Sequence, residues 1–184
     1  ASRSYGIQVA RLAGLPDAPA LLHVRGAAGA LSAPAVAIVG ARAASAYGLG
    51  VARALAGCLA RAGVVVVSGL ARGIDAAAHE GALDAGGLTV AVQGCGPDRV
   101  YPAAHRRLAG RIAAQGALVT EFPPGAAPRA PHFPLRNRII SGLSRVVVVV
   151  EARARSGSLS TALHADAQQR DVFAVPGPLG VATS

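Results

Sequence analysis

Lysine is missing from this chain, and so are methionine and tryptophan. Without lysine there is no Walker A loop, whose lysine reaches the phosphates of a nucleotide. Three Tyr and three Phe are too few for a base-stacking platform to be the main source of affinity for a single strand. Cys58 and Cys95 are the two cysteines; scattered thiols make no disulfide framework, which fits a reducing compartment and a cytoplasmic protein. Cys58 falls on the apolar side of a predicted helix and reads as core. The five histidines lie far apart with no paired Cys or His at ligand spacing, so neither a metal nor another cofactor is expected. No apolar run approaches the roughly 18 residues of a membrane span. Residues 1–10 lack the charged-then-apolar pattern of a secretory signal. No Met opens the chain, so it reads as trimmed, with room for flanking domains outside it.

Acidic residues are scarce as well. Nine stand against 18 basic ones, all arginine, for a net charge of +9. A GC-rich genome accounts for arginine replacing lysine but not for the surplus of positive charge. That surplus favours a polyanionic partner, and arginine matches phosphate in a bidentate way that lysine cannot.

At 184 residues and 52% hydrophobic, the chain is long enough for one domain with a substantial core. Apolar runs at 35–39, 64–67, 88–92, 117–121, 145–151 and 172–175 read as strands. The stretches between them read as helices: Val51, Leu55, Cys58, Leu59 and Ala62 recur at helical spacing, Asp75 can cap a helix running to 85, and 102–115, 136–143 and 159–169 follow. Strands apolar throughout are buried on both faces, and helices between them imply right-handed crossovers. The fold class is therefore α/β: a Rossmann-like, doubly wound, mostly parallel sheet with helices on both faces. Residues 1–34 form an N-terminal segment with an edge strand near 21–25, 35–178 the Rossmann-like domain, and 179–184 a tail.

Ligands of such sheets bind beyond the carboxyl ends of the strands. Four turns there are informative: Gly40-Ala41-Arg42 through Ser45, Ser68-Gly69 through Arg72-Gly73, Gly94-Cys95-Gly96, and Ser156-Gly157-Ser158. Glycine lets backbone approach a phosphate, and a helix N-terminus offers free N–H groups. Arg129, Phe133, Arg136, Asn137 and Arg138 form a second candidate phosphate clamp. Phe133 reads as a base contact or as core. Dinucleotide binding fits poorly, because the first turn is not G-x-G-x-x-G and no acid ends the second strand. No G-x-S-x-G elbow is present. Glu121 and Glu151, at strand ends, could act as acids or could pair with rim arginines.

Taken in order, Val36 through Arg42, Ser68 through Asp75, Gly94-Cys95-Gly96 with Tyr101-Pro102, Glu121 through Gly125, Phe133 through Ile139, Ser156 through Leu159 and Phe173 through Gly177 resemble the DNA-processing protein A (DprA, also called Smf) family, over roughly residues 20–178. The resemblance implies a non-catalytic protein of natural transformation that binds and protects single-stranded DNA, forms a homodimer and loads a RecA-type recombinase. Arg42 then matches the phosphate-binding arginine after the first strand, and Arg129, Phe133, Arg136, Asn137 and Arg138 the second DNA-binding segment. Ala41, Ala130, His132 and Ser160 depart from the family pattern, and the chain stops before the family's closing Asn-rich helix. The competing reading is an enzyme, a LOG-like nucleotide phosphoribohydrolase. Its P-G-G-x-G-T-x-x-E signature is poorly matched by Ser156 through Thr161, which has one Gly and no following Glu.

Overall fold

A computed structural model describes residues 5–153 and 156–177. Eight strands form one sheet: β1 (Tyr5–Ile7), β2 (Leu22–Gly26), β3 (Ala35–Val39), β4 (Val65–Ser68), β5 (Thr89–Val92), β6 (Ala117–Thr120), β7 (Val146–Val149) and β8 (Asp171–Ala174). Five α-helices connect them: α1 (Ala46–Arg61), α2 (Ile74–Asp84), α3 (Arg106–Gln115), α4 (His132–Leu143) and α5 (Gly157–Ala167). The strand order is β1-β2-β6-β5-β4-β3-β7-β8. The six strands from β6 to β8 run parallel, while β2 pairs antiparallel with both β1 and β6.

Uninterrupted apolar strands are buried on both faces because alternate residues point to opposite sides. Val65 and Val67 of β4 join Ala37, Val147, Ile139, Ile140 and the N-terminal Leu12 and Leu22 on one face. Val66 and Ile38 pack with Ala52, Ala56 and Ala78 of α1 and α2 on the other. Further along that second face, Ala91 and Leu118 meet α3 through Leu108 and Ile112.

Four sequence expectations are corrected. The strand near 21–25 forms, but second from the edge; three-residue β1 covers it. Helix α4 starts at His132 rather than 136. Pro134 is no obstacle there, since first-turn amides have no intrahelical acceptor to lose. Gly73, not Asp75, caps α2, with φ 76° that suits a residue without Cβ. Finally, Cys58 is exposed. The buried stripe of α1 is made of its small residues, Gly48, Ala52, Ala56, Gly57 and Ala60. They let α2 approach so closely that a Cβ on Gly81 would strike the backbone of Arg53.

Candidate nucleic-acid interface

The turns after β3, β4, β5 and β7 share the carboxyl edge of the sheet. In the first, Ser45 caps α1 by accepting from Gly48 N at 3.0 Å. Ser45 N in turn donates to Glu151 Oε2 at 2.9 Å, and its hydroxyl bonds the other Glu151 oxygen. Glu151 holds this position from a left-handed backbone, φ 58°. A carboxylate of the protein thus already occupies the positive end of α1. The amides of Ala41 and Ser45 are taken, whereas those of Arg42 and Ala43, which line a cleft, have no partner among the described residues.

The second turn is tied down likewise. Gly69 N and Ala71 N donate to Asp75 Oδ2 at 3.1 and 3.3 Å, bracketing buried Leu70 at φ 59°. Ser68 Oγ donates to Ile38 O at 2.7 Å. Burial raises the Asp75 carboxyl above its ordinary range, opposed by Arg136 and by these hydrogen bonds. In these two turns the amides of Ala41, Ser45, Gly69 and Ala71 are committed within the protein, while those of Arg42 and Ala43 face the cleft.

Above these turns lies the start of α4. The Phe133 ring sits 5.4 Å from Tyr101, tilted by 38°, with the Arg42 guanidinium 5.6 Å from its centroid, within cation–π reach. Arg136 is 4% exposed. It donates to Gly69 O at 2.7 Å and to Val92 O, and its Nε is buried without a partner. Desolvation lowers Arg136 to about 10, with Arg42 adding to the effect and Asp75 opposing it.

A cleft of about 810 Å³ runs along this edge, and Arg42, Phe133, Arg136, Asn137, Arg153 and Ser158 line it. A smaller one of about 270 Å³ adjoins it and adds Gly69 and Arg72; Arg42, Tyr101, Phe133 and Arg136 belong to both. The volumes suit a small ligand or one or two nucleotides. Asn137 bonds Gly157 O at 3.1 Å, and Ser158 shares a 2.6 Å contact with Ser156. The structure thus brings Arg42, Phe133, Arg136, Asn137 and Ser158 into one groove, with Gly40 at its floor and Gly69 and Arg72 at its smaller end.

Four expected residues stand apart, the first being Ser68, which is buried under the turn, bonded to Ile38 O and absent from both cavity walls. The side chain of Ser45 is taken by the α1 cap and Glu151. Arg129 is exposed on its loop and lines neither cavity. Arg138 turns inward, forming two 2.7 Å bonds to Glu121 and meeting Asp17 at 3.0 Å. Burial works against its charge, but Glu121 and Asp17 more than offset that and hold it above the ordinary value. Of the alternatives for the strand-end acids, pairing with an arginine holds for Glu121, which meets Arg138, whereas Glu151 bonds the amide and hydroxyl of Ser45 instead. The reading from sequence missed Tyr101 and Arg153 as groove residues. Their signal is position alone, since each follows a strand at the ligand edge.

The model of the DNA recombination-mediator protein A family matches residues 2–184. Protein Smf of Escherichia coli is 52% identical over 165 residues, covering 89% of this chain and 44% of that protein. The crystal structure of DNA processing protein A from Streptococcus pneumoniae superposes with a TM-score of 0.93 at 44% identity, covering all of this chain and 66% of that one. A structure of the Helicobacter pylori protein, solved to describe its single-stranded DNA binding mode, gives 0.91 at 32% identity, covering 98% and 83%. The chain spans about half the length of the curated relatives it matches.

Proposed function

The chain belongs to the DNA recombination-mediator protein A family, and from that premise we propose that its groove binds single-stranded DNA without carrying out chemistry on it. The observation that carries this reading is the Arg42–Phe133–Tyr101 cluster over buried Arg136. Arg42 supplies charge, the open amides of Arg42 and Ala43 take phosphate oxygens, and Phe133 and Tyr101 offer ring faces to a base. Arg72 and Arg153, exposed along the same groove, continue the phosphate track. The one carboxylate among the lining residues, Asp75, is buried against amides, so the groove wall meets DNA as net positive.

Binding rather than catalysis is supported by the acids at the strand ends, which are both committed to internal partners. The wider role, loading a RecA-type recombinase as a homodimer in the cytoplasm, is a proposal that rests on the family. No helix among the described residues is long and apolar enough to cross a membrane. Leu163 on α5 and Val172 and Phe173 on edge strand β8 stand exposed and offer apolar surface for self-association.

Fluorescence anisotropy of labelled oligo-dT across a salt series tests the groove. The parent protein prefers single strand over duplex, and its log affinity falls with log salt. Arg42→Ala reduces the slope by about 0.7, the value for one neutralised phosphate of a single strand. A flat salt response in the parent would sink the phosphate-clamp reading; release of free base from nucleoside monophosphates would move the weight to the phosphoribohydrolase.

A further inference from the structure

The opposite edge of the sheet carries a second concentration of arginine. β7 and β8 run parallel with Val146 opposite Asp171, so Arg145 and Arg170, the residues just before each strand, enter the sheet at the same corner. On the other side of β7, Arg145 N bonds Ala35 O at the start of β3. Arg11 reaches the same corner and donates to Ala33 O at 3.0 Å, Leu143 O at 2.8 Å and Ser32 O at 3.3 Å. Burial first, and then the charges of Arg145 and Arg170, hold the Arg11 guanidinium below its ordinary value, so the three fields overlap.

Their donors are unequally used. Arg11 is committed to carbonyls, while among the described residues no acceptor meets the guanidinium of Arg145 or Arg170. Nε of Arg170 is buried without a partner. Among the described residues no carboxylate lies within ion-pair distance of any of the three; the six ion pairs found there all lie elsewhere. The carbonyl ends of α4 and α5 lie just before Arg145 and Arg170 in the chain and explain why cations are tolerated here. They do not explain like charges gathered at one corner around Arg11, or a desolvated N–H left unbonded, both of which are unfavourable. One bound oxyanion would relieve both, because guanidinium pairs bind phosphate with charge-assisted, bidentate geometry.

We propose that Arg145 and Arg170, backed by Arg11, form a second phosphate-binding site at the amino edge of the sheet, separate from the groove. The length of β7 alone, four residues at about 3.3 Å each, puts roughly 13 Å between this site and the groove edge. One domain could then hold phosphates at two places. The inference does not depend on the groove binding DNA.

The test is thermal unfolding in rising inorganic phosphate, with ionic strength held constant by chloride. The parent, Arg42→Ala and Arg145→Gln/Arg170→Gln are compared. Phosphate at about ten times its Kd raises the midpoint by roughly 3–6 °C in the parent and in Arg42→Ala. The double variant loses the part of that increment that Arg42→Ala keeps. An undiminished increment in the double variant overturns the site. Should the double variant fail to fold, Arg145→Gln alone, at an exposed side chain without a hydrogen bond, must shift the phosphate midpoint to higher concentration. An unchanged midpoint concentration there overturns the site equally. Oligo-dT anisotropy identifies the source of the phosphate. A salt slope reduced in Arg145→Gln means that nucleic acid occupies the site, and an unchanged slope beside a lost thermal increment means free phosphate. Failure of the groove reading would appear separately, as an Arg42→Ala slope equal to that of the parent.

Discussion

Arg138 belongs to the segment whose motif points to DNA, yet the structure places it in a buried ion pair, and the two roles predict opposite outcomes. Its side chain is 7% exposed, and that of its partner Glu121 is 15% exposed. Replacing Arg138 with Met removes both 2.7 Å bonds and leaves Glu121 without its counter-charge. Removing one member of a buried pair costs about 3–5 kcal/mol, mostly because the other charge stays desolvated. Asp17, half-exposed, regains water and adds little. For a chain of this length each kcal/mol moves the melting midpoint by about 2–4 °C, so Arg138→Met should lower it by roughly 6–20 °C. Adding Glu121→Gln should restore part of that loss, because it removes the stranded charge; the cycle then shows coupling between the two sites. Urea denaturation gives the free energies, and anisotropy at about 10 °C, well below either midpoint, gives DNA affinity for the folded fraction. Affinity should stay within about threefold of the parent, a difference well under 1 kcal/mol. A variant that melts within about 2 °C of the parent but binds more than tenfold more weakly would refute the ion-pair role and return Arg138 to the DNA surface.

Two further outcomes follow from the core. Gly81→Ala forces a Cβ into the Arg53 backbone where α1 and α2 meet, and should destabilise by about 1–3 kcal/mol in denaturant titration; a neutral result would mean that the two helices can separate freely. His79 is held at about 3 by burial, against an ordinary 6.5, with Arg136 and His105 adding to the effect. Between those values the unfolded chain binds a proton that the fold refuses. This contribution to stability is therefore complete above about pH 6.5 and falls on acidification by roughly 1.4 kcal/mol per unit toward pH 3. Asp75, raised by burial, works in the opposite sense, so the imidazole signal itself should be followed by NMR. It should stay neutral down to about pH 4, and a midpoint near 6 would contradict the burial argument.

What the sequence could reveal depended on the kind of residue carrying each feature. The parallel sheet was legible because β3 to β7 are apolar but for Ser68, Thr89 and Thr120 at strand ends, as suits strands with helices on both faces. The face of α1 was not legible. Val51, Leu55 and Leu59 give the stronger periodic signal, but alanine and glycine make the closest contact, and small residues carry little weight in a hydrophobic pattern. β1 is three residues long, too short for any period to show. The groove followed from the strand–turn–helix order, which fixes where loops gather. Which arginines face it did not follow, because Arg136 and Arg138 are two residues apart on one helix and separated by about 200° of turn. One lines the groove and the other lies under Glu121.

The glycines at the ligand edge are where that distinction matters most. From sequence each reads as a place for backbone to meet phosphate, yet side chains of the protein fill the space above two of them. A Cβ on Gly69 would fall on the Arg136 guanidinium, and one on Gly94 would come within 2.9 Å of Phe133 Cδ1. Absence of a side chain at these turns lets α4 lay its arginine and its ring across the ends of β4 and β5. The groove wall is therefore built on glycine by way of α4, and the phosphate contact is one step removed. Gly94→Ala tests this. The added methyl is tighter than an ordinary contact, so the ring must move by a few tenths of an ångström, away from Arg42 and Tyr101. DNA affinity should fall severalfold while the melting midpoint changes by only about 2–4 °C, the equivalent of about 1 kcal/mol. If glycine served as a phosphate cradle instead, Phe133→Leu would leave affinity intact and Gly94→Ala would abolish it; on the present account the two variants weaken binding to a similar degree, and combining them adds little.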